Sequence, residues 1–471
     1  MERLIKTGKL KPKASKEITA SRIGIDFEKL DRNVFDPNKA YDKLGALGVK
    51  WVRIQSGWAR TEKEKGVYDF TWLDSIVDNL LQRGMEPWIC LCYGNGLYDS
   101  NAQKVFGAVG CPPIHSEEAK LAWSRYAAAL ARRYAGKVNC FEVWNEPDGK
   151  WCWKHGVNGT EYGHFVIDTG KAIKEGNPSA KIIGGSACMR NLEFLVMAFE
   201  AGMGDYIDAL TFHEYTTREE LVFERVTALR GLVNLYNPEI KIIQGESGSQ
   251  SRSDGAGALA GGAWTPEKQA KQLLRHTMAD LMTEVLFTSY FSCMDMIEAL
   301  NGTVGDTASY LDYGYFGVLG ADFDENGYST GEYTPKPSYY ALQNICSLFS
   351  EDTVTASLPV ILLPEASSRY FGMDCSRAEI IGSGFQKSSG GSAFVYWKPT
   401  DLMTTTFEGS IRLQAAGLGN DIKLIDLMDG TIYRLPKEMV DDHGSGSLIL
   451  EHIPIKDYPL VLTFGNFAED A

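Results

Sequence analysis

Long apolar runs are missing from this chain of 471 residues. No stretch reaches the roughly 18 consecutive apolar residues that a membrane-spanning helix needs. Residues 1–20 contain several Lys but no apolar segment of the kind found in an export signal. The sequence therefore predicts no membrane partner and a cytoplasmic location, although a shortened form of a secreted protein would show the same pattern.

Blocks of basic residues are absent as well. The net charge is -14, and no cluster of Lys and Arg is dense enough to follow a phosphate backbone. A nucleic-acid partner is therefore not expected. The hydrophobic share of 44% and the charged share of 23% are ordinary for a globular protein, which excludes a mostly disordered or fibrous chain.

Paired metal-ligand motifs are also lacking. The chain has 9 Cys and 7 His, but neither a C-x-x-C pair nor an H-E-x-x-H motif. Several cysteines, among them Cys90, Cys92 and Cys293, lie inside apolar runs, as reduced buried thiols do. The Gly-rich segment 253–264 lacks the Lys-Ser/Thr ending of a phosphate-binding loop, so we expect a mobile loop there. The sequence therefore predicts no bound metal and no cofactor.

Short β-rich runs alternate with helical periodicity between about residues 22 and 349. This alternation is typical of βα units around a parallel sheet. Eight β-rich runs can be counted, and eight parallel strands predict a closed (β/α)8 TIM barrel of the α/β class. The runs begin at Arg22, Lys50, Glu86, Val138, Lys181, Asp208, Lys241 and Val285.

A different pattern begins at about residue 351. Helical periodicity ends, and strand-like runs are separated by Gly, Ser, Asp and Pro, with a hairpin signal at Asp429-Gly430. This pattern predicts a C-terminal β-sandwich. A second domain is expected in any case, because one core stops growing at roughly 250–300 residues. We divide the chain into an N-terminal extension (1–20), a barrel (21–349) and a β-sandwich accessory domain (350–471).

Two carboxylates occupy matching positions in the predicted barrel. Glu146 follows Asn145 where the fourth run opens into a loop, and Glu246 closes the seventh run. Regular alternation places Gln244 and Glu246 on one face, and strands four and seven are three steps apart, so both carboxylates can converge at the mouth. Cleavage of a glycosidic bond requires such a pair, one protonated and one ionised. Taken singly, a strand-end carboxylate is more often a solvated or ion-paired group, and it is the joint placement of the two that favours catalysis.

The motif WNEP at 144–147, together with Glu246 on strand seven, resembles clan A of the glycoside hydrolases, and within it family 39 and its uncharacterised relatives. The likeness extends across the barrel, from 51-WVRIQSGW to strand eight. It implies a retaining β-glycosidase that acts on carbohydrate by double displacement. Glu146 would be the general acid/base, Glu246 the nucleophile, and Asn145 the residue that binds the sugar 2-hydroxyl.

Side chains near these carboxylates fit the same resemblance. Arg53 matches a clan arginine that steadies the ionised nucleophile, and an inward guanidinium needs an anion, with Glu142 and Glu246 as candidates. The clan places a His or Tyr at the end of strand six, where His213 and Tyr215 share a face. The alternatives are an arginine whose head reaches the surface and a histidine that is merely hydrogen-bonded in the core.

Several aromatic residues are candidates for stacking against a sugar ring. Strand eight lacks the Trp that most clan members carry there, and it offers Tyr290 or Phe291 instead. Trp151 and Trp153, just after the predicted acid/base, and Trp58 on the second loop are further candidates. Each of these Trp residues could equally be packed beneath a loop.

The segment after strand eight, residues 293–335, is long and rich in aromatic residues. We expect a lid or pocket wall, which would favour exo action. Its part 322–327 begins like a calcium loop, but Tyr333 occupies the position of the closing acid, so a polar turn is the preferred interpretation. The aromatic residues of the segment are Tyr310, Tyr313, Tyr315, Phe316, Tyr328 and Tyr333.

Other functions stay open at this point. The missing strand-eight Trp raises the alternative of an inactive carbohydrate-binding barrel protein, against which the intact Asn145, Glu146, Glu246 and Arg53 count. An endo-acting β-glycanase of the same clan is a further alternative. An unrelated lyase or metal-dependent isomerase would need a Lys base or metal-binding carboxylates at strand ends, for which few candidates exist. Xylose, glucose, galactose and arabinose all stay open as the sugar. The β-sandwich is either a structural partner of the barrel or a glycan-binding unit, and no signal indicates an oligomeric state.

Overall fold

A closed barrel of eight parallel strands forms the centre of the protein, as the eight β-rich runs predict. The computed structural model describes residues 1, 3–103, 107–298, 312–363, 380–388, 390–442 and 444–468. Strand β1 (Ile5–Lys9) precedes the barrel. The barrel strands are β2 (Ile23–Asp26), β3 (Trp51–Gln55), β4 (Glu86–Leu91), β5 (Cys140–Val143), β6 (Lys181–Ala187), β7 (Ala209–His213), β8 (Lys241–Ser247) and β9 (Val285–Tyr290).

Helices cover the outside of the barrel with their apolar faces. The helix at Glu117–Arg133, which follows β4, is an example. Its N-cap residue Ser116 accepts the Ala119 N–H through its hydroxyl oxygen, and its buried face contains Trp123 and Tyr126. None of the helices described is both long and apolar enough to cross a lipid bilayer. The helices are α1 (Tyr41–Ala46), α2 (Trp58–Thr61), α3 (Thr71–Gln82), α4 (Glu117–Arg133), α5 (Gly159–Gly176), α6 (Leu192–Glu200), α7 (Val222–Tyr236), α8 (Pro266–Leu281) and α9 (Pro337–Leu348).

An apolar cluster fills the amino-terminal half of the barrel. It contains Trp88, Ile183 and Phe287, and the ring of Trp51 stacks on Phe287 at a centroid distance of 4.5 Å. The guanidinium of Arg53 lies over the Trp88 ring at 5.5 Å. The interior therefore changes from apolar to polar toward the carboxyl ends of the strands, where the site of such a barrel is expected.

Two short hairpins occupy much of the segment expected to be a lid or pocket wall. Strand β10 (Met296–Glu298) pairs with β11 (Asp312–Gly314), and β12 (Leu319–Phe323) pairs with β13 (Ser329–Pro335). The carboxylate of Asp324 accepts the N–H groups of Asn326 and Tyr328, both at 2.9 Å. The calcium-like stretch is thus a polar turn, as preferred above. Tyr310 lies outside the described residues.

Two antiparallel sheets follow the barrel, and Tyr396 on one donates its hydroxyl to the Pro454 carbonyl on the other at 2.8 Å. The first sheet has the order β1-β20-β19-β23-β17-β16-β14, and the second has the order β15-β18-β22-β21. Residues 5–9 of the predicted N-terminal extension are therefore an edge strand of the first sheet. The strands are β14 (Val354–Ala356), β15 (Val360–Leu363), β16 (Ile381–Gln386), β17 (Ser392–Trp397), β18 (Glu408–Ala416), β19 (Ile422–Asp426), β20 (Thr431–Arg434), β21 (Val440–Asp442), β22 (Ser447–Lys456) and β23 (Leu460–Phe464).

Turn chemistry and buried charges fix this C-terminal part in place. The hairpin between β19 and β20 turns at Gly430, whose φ of 72° is favourable for glycine, as the Asp429-Gly430 pair predicts. On the barrel side, Arg275 of α8 pairs with Glu220 and donates to the Thr400 carbonyl at 2.8 Å. The barrel and the sheets thus share a buried polar interface.

Candidate active site

Arg53 lies at the centre of a buried charge cluster at the carboxyl ends of the barrel strands. Its side chain is fully buried and projects from β3 into the barrel. Nε and Nη2 donate to Glu142 on β5 at 2.7 and 3.1 Å. Nη1 donates to Glu246 at 2.7 Å and also to Glu28. Both carboxylates considered as partners from the sequence are therefore in contact with the guanidinium.

Donors hold both carboxylate oxygens of Glu246. Arg53 Nη1 donates to Oε2, and the Tyr215 hydroxyl donates to Oε1 at 2.6 Å. Burial first, and the Glu246 charge second, raise the pKa of Tyr215 well above its usual value, so the hydroxyl keeps its proton and remains a donor. Glu246 is thus an oriented carboxylate with a permanent cation beside it.

A bulge in β8 directs Glu246 into the barrel mouth. Phe212 on β7 pairs with Gln244, but the next residue on β7, His213, pairs with Glu246. Strand β8 therefore contains one extra residue, Gly245, at this point. The bulge reverses the alternation of side chains between 244 and 246.

Regular alternation is consequently the wrong description of this strand end. Gln244 points away from the mouth, where its Nε2 lies 2.8 Å from Nε2 of His276 on α8. A Cβ at position 245 would lie 2.2 Å from Thr211 Oγ1, so the close approach of the strands requires glycine there. The prediction that Glu246 reaches the mouth stands, but the bulge is the reason, and Gln244 does not share its face.

Glu146, on the opposite side of the mouth, has different neighbours. The indole Nε1 of Trp151 donates to Oε2 at 2.5 Å, and Nδ1 of His213 lies 3.0 Å from Oε1. Trp144 and Glu146 have φ values of 66° and 46°, so the chain turns sharply as it leaves β5. The turn aims Glu146 inward beside Asn145, whose Oδ1 accepts a hydrogen bond from the central arginine at 2.8 Å.

His213 connects the two carboxylates. Its Nδ1 is 3.0 Å from Glu146 and 3.5 Å from Glu246. One oxygen of each carboxylate and one ring nitrogen of the histidine all lie within 4.8 Å of one another. Burial opposes protonation of His213, but the Glu246 and Glu146 carboxylates outweigh burial and raise its pKa. The nearest oxygens of Glu146 and Glu246 thus lie within 4.8 Å of each other, so the two carboxylates face one another across the barrel mouth.

Two further carboxylates near the arginine were not found from the sequence. Asp26 ends β2 and lies 3.6 Å from Arg53, and Glu28 follows two residues later. Burial, opposed by Arg53 and reinforced by Glu246, raises the pKa of Glu28 to about 7. Burial and then Glu28 raise the pKa of Asp26 well above its usual value. The sequence feature that could have identified them as site residues is their position at the end of the first barrel strand and just after it.

The carboxylates open into a pocket of about 420 Å³, within the range of small-molecule sites. Lys29 at its edge donates to Glu298 at 2.5 Å, so this cation is already paired. The described lining residues are Glu28, Lys29, Arg32, Gln55, Tyr93, Val109, Asn145, Glu146, Trp151, Cys152, Cys188, Met189, Tyr215, Glu246, Gly257, Ala258, Phe291, Glu298 and Phe316.

The structure separates the five aromatic candidates into two groups. Trp151 and Phe291 line the pocket. Trp153 and Trp58 are buried among other aromatic side chains, and Tyr290 is buried with its hydroxyl toward a backbone N–H of the loop after β8. None of these three lines the pocket, so the expectation that Trp153 and Tyr290 stack on sugar there is corrected; Trp58 instead lines a neighbouring cavity of about 370 Å³, which shares Arg32 and Tyr93 with the pocket. Packing beneath loops, the alternative interpretation, describes the two Trp residues.

Residues 36–229 match the model of the family described as glycosyl hydrolases family 39. The matched segment contains Arg53, Glu146 and His213 but ends before Glu246. The beta-xylosidase of Geobacillus stearothermophilus is 29% identical over 161 residues, which are 33% of this chain and 32% of that protein. The beta-xylosidase of Caldicellulosiruptor saccharolyticus is 28% identical over 189 residues, 36% of this chain and 37% of that protein. The chain thus covers about a third of the length of these curated relatives.

Solved structures share the fold over nearly the whole chain. A family 39 glycoside hydrolase from Bacteroides cellulosilyticus WH2 has a TM-score of 0.64 at 16% identity. The match covers 94% of this chain and 80% of that one. A monomeric beta-xylosidase from Caulobacter crescentus CB15 has a TM-score of 0.60 at 15% identity, with 98% and 97% covered. Barrel, motif and family match therefore agree: the protein resembles clan A of the glycoside hydrolases, and residues 36–229 relate its barrel to family 39.

Proposed function

We propose that this protein is a retaining glycoside hydrolase that cleaves β-glycosidic bonds by double displacement. The observation that carries the proposal is a facing pair of carboxylates with oxygens within 4.8 Å and with different neighbours. Glu246 contacts the permanent cation of Arg53, whereas Glu146 contacts the indole N–H of Trp151 and Nδ1 of His213. The family 39 match of the barrel supports the same proposal.

In the first step, Glu246 attacks the anomeric carbon and forms a covalent bond to it. The bond from that carbon to the leaving oxygen breaks, and Glu146 supplies the proton that this oxygen needs. Arg53 and Tyr215 donate to the two oxygens of the attacking carboxylate and orient it. Asn145 accepts from Arg53 through its Oδ1, and its Nδ2 donates one hydrogen to Cys152 Sγ at 3.7 Å, so its second N–H would donate to the sugar 2-hydroxyl.

In the second step, water releases the sugar from Glu246. Glu146, now ionised, accepts a proton from the water while the water oxygen bonds to the anomeric carbon. The bond between that carbon and Glu246 breaks at the same time. Both steps invert the configuration, so the product retains it. His213, which touches both acids, positions them and balances their charges through the cycle.

We also propose exo action on a β-linked terminal sugar. A pocket of about 420 Å³ has aromatic walls at Trp151, Phe291 and Phe316, which suits a chain end better than the middle of a polymer. The two curated relatives carry the name beta-xylosidase, so a β-xyloside is the first substrate to test.

The wild-type protein is expected to hydrolyse an aryl β-glycoside from a panel with xylose, glucose, galactose and arabinose, with the xyloside favoured. From oligosaccharides it should release single sugars, because the pocket accepts a chain end. NMR of the first-formed anomer should show the β form. Internal fragments as first products would refute exo action, and calorimetric binding of oligosaccharide without product from any glycoside would indicate an inactive binding protein.

Replacing the nucleophile, Glu246→Gln, should lower kcat by about 10⁴-fold or more, because no covalent intermediate can form. The variant keeps the side-chain volume, and circular dichroism should show the wild-type fold. Initial rates on the best aryl glycoside measure the effect.

Glu214→Gln is the matched control for this change. Glu214 directly follows β7, as Glu246 lies near the end of β8; it is buried and accepts a hydrogen bond from Arg190 at 2.8 Å outside the pocket. The Glu214→Gln variant should retain the wild-type kcat. Equal losses in the two variants, or wild-type turnover by Glu246→Gln, would remove Glu246 from the nucleophile role.

Glu146→Ala should lose activity in a way that depends on the leaving group. With a poor leaving group, kcat/KM should fall by about 10²–10⁴-fold, because protonation of the leaving oxygen is lost. With a dinitrophenyl leaving group the loss in kcat/KM should be small. Added azide should restore turnover and give the β-glycosyl azide, detected by NMR; an equal loss for all leaving groups without azide rescue would contradict the acid/base role.

The pH dependence of folding should report the extra proton near Arg53. Because the pKa of Glu28 is raised from 4.5 to about 7, the folded protein binds a proton that the unfolded chain releases between these values. The resulting stability is therefore lost as pH rises through this window. Glu28→Gln cannot ionise, so its free energy of unfolding relative to wild type should rise by up to about 3 kcal/mol from about pH 5 to about pH 8. Denaturant titrations at each pH measure this difference, and a constant offset would contradict it.

A further inference from the structure

Three potential metal ligands meet on the rim of the barrel, outside the charge cluster of Arg53, and a fourth residue, His115, lies beside one of them. Asp99, Cys111 and His155 each offer a ligand atom, and these atoms lie within 4.8 Å of one another. The ring of His115 lies beside that of His155, with centroids 3.6 Å apart. Thiolate, imidazole and carboxylate together form a donor set that suits Zn²⁺.

We propose that Asp99, Cys111, His115 and His155 form a Zn²⁺ site that joins the loop after β4 to the loop after β5. Four protein ligands make it a structural site rather than a catalytic one. The binding of zinc itself does not depend on the glycosidase proposal. In the metal-free protein, the loops after β4 and β5 hold the four side chains near one another. A bound ion would link the two loops directly.

Local structure prepares three of these ligands. Pro112 and Pro113 separate Cys111 from His115 and restrict the backbone between them, since proline fixes φ. Asp99 is held by its neighbour Asn101, whose backbone N–H and side-chain N–H donate to Oδ1 at 2.9 and 3.1 Å. Outer hydrogen bonds of this kind orient ligands in metal sites.

The fourth ligand arrives from the loop that carries the proposed acid/base. Immediately before His155, the N–H of Lys154 donates to the Gly110 carbonyl at 3.0 Å. A backbone hydrogen bond therefore already joins the two loops beside the proposed ligands. His115 and His155 are exposed, which gives an ion a route to the buried thiol of Cys111.

The position of the site connects it to the pocket wall. Val109, two residues before Cys111, and Trp151, four residues before His155, both line the pocket. Trp151 also donates to Glu146 at 2.5 Å. A metal ion at the rim would therefore hold the wall beside the acid/base.

Two other groups of acids have comparable spacing but different chemistry. Asp26, Glu28 and Glu246 surround Arg53, which already supplies the positive charge. The group of Glu146 and Glu246 with the histidine between them is the proposed reacting pair. Neither group contains a thiol, so a thiolate signal distinguishes the rim site from both.

The test uses the full chain after removal of metals with EDTA and dialysis. Calorimetric titration with Zn²⁺ should show one equivalent bound, and titration with Co²⁺ should give a near-ultraviolet thiolate-to-cobalt absorption band. Zinc should also raise the melting temperature of the wild-type protein. An absence of zinc binding by the wild-type protein would overturn the proposal.

Variants identify the ligands. Cys111→Ser, His155→Ala and His115→Ala should each lower the zinc affinity by at least about tenfold, because even outer partners of metal ligands contribute that much. Cys111→Ser should also abolish the cobalt band. Full affinity in Cys111→Ser or His155→Ala would overturn the site, and full affinity in His115→Ala would overturn its four-residue form.

Matched controls replace a cysteine and a histidine elsewhere. Cys140→Ser on β5 and His164→Ala on the exposed side of α5 should retain zinc binding and the cobalt band. Glu246→Gln should retain both as well, although it removes the proposed nucleophile. Zinc binding that is lost in Glu246→Gln but kept in Cys111→Ser would place the ion at the carboxylates and refute the rim site.

Discussion

The buried guanidinium of Arg53 is the constraint on which the site depends. An unpaired charge inside the barrel would cost several kcal/mol, so the strand ends must supply anions. They supply four carboxylates for one guanidinium. Burial is the main reason why the pKa values of Asp26 and Glu28 are raised; the neighbouring carboxylates add to this effect, and Arg53 opposes it. The four carboxylates in contact with the guanidinium are Asp26, Glu28, Glu142 and Glu246.

Only tertiary structure brings these groups together, because Arg53 and Glu246 are 193 residues apart. Several strand ends contribute polar groups, among them Arg53 and Gln55 of β3 and Glu142 of β5, and an apolar layer that contains Trp88 and Phe287 lies beneath them. The bulge at Gly245 then corrects the direction of Glu246. Barrel packing and site geometry are therefore one problem: a change in strand register would move a carboxylate away from the guanidinium.

Much of this arrangement could be predicted from the sequence. The eight barrel strands follow from strongly apolar runs, and the paired glutamates with Arg53, Asn145 and His213 follow from strand ends and from the clan A resemblance. Strand β1 could not be found, since its polar sequence IKTGK is stabilised by pairing with β20 rather than by an apolar pattern. The bulge, the acids after β2 and the burial of three aromatic candidates depend on contacts across the fold that no local pattern encodes.

The surplus of acids has a consequence for the proposed reaction cycle. When Glu246 becomes an ester it loses its charge, and Arg53 loses one of its anions. The Glu246 charge is among the causes that raise the pKa of Glu28, so esterification removes that contribution and favours ionisation of Glu28. Glu28 contacts the same guanidinium nitrogen and faces the pocket, where it can release its proton to water. Two hydrogen bonds to Glu142 keep Arg53 paired through both steps, and the shift of Glu28 toward ionisation adds to this pairing while Glu246 is an ester.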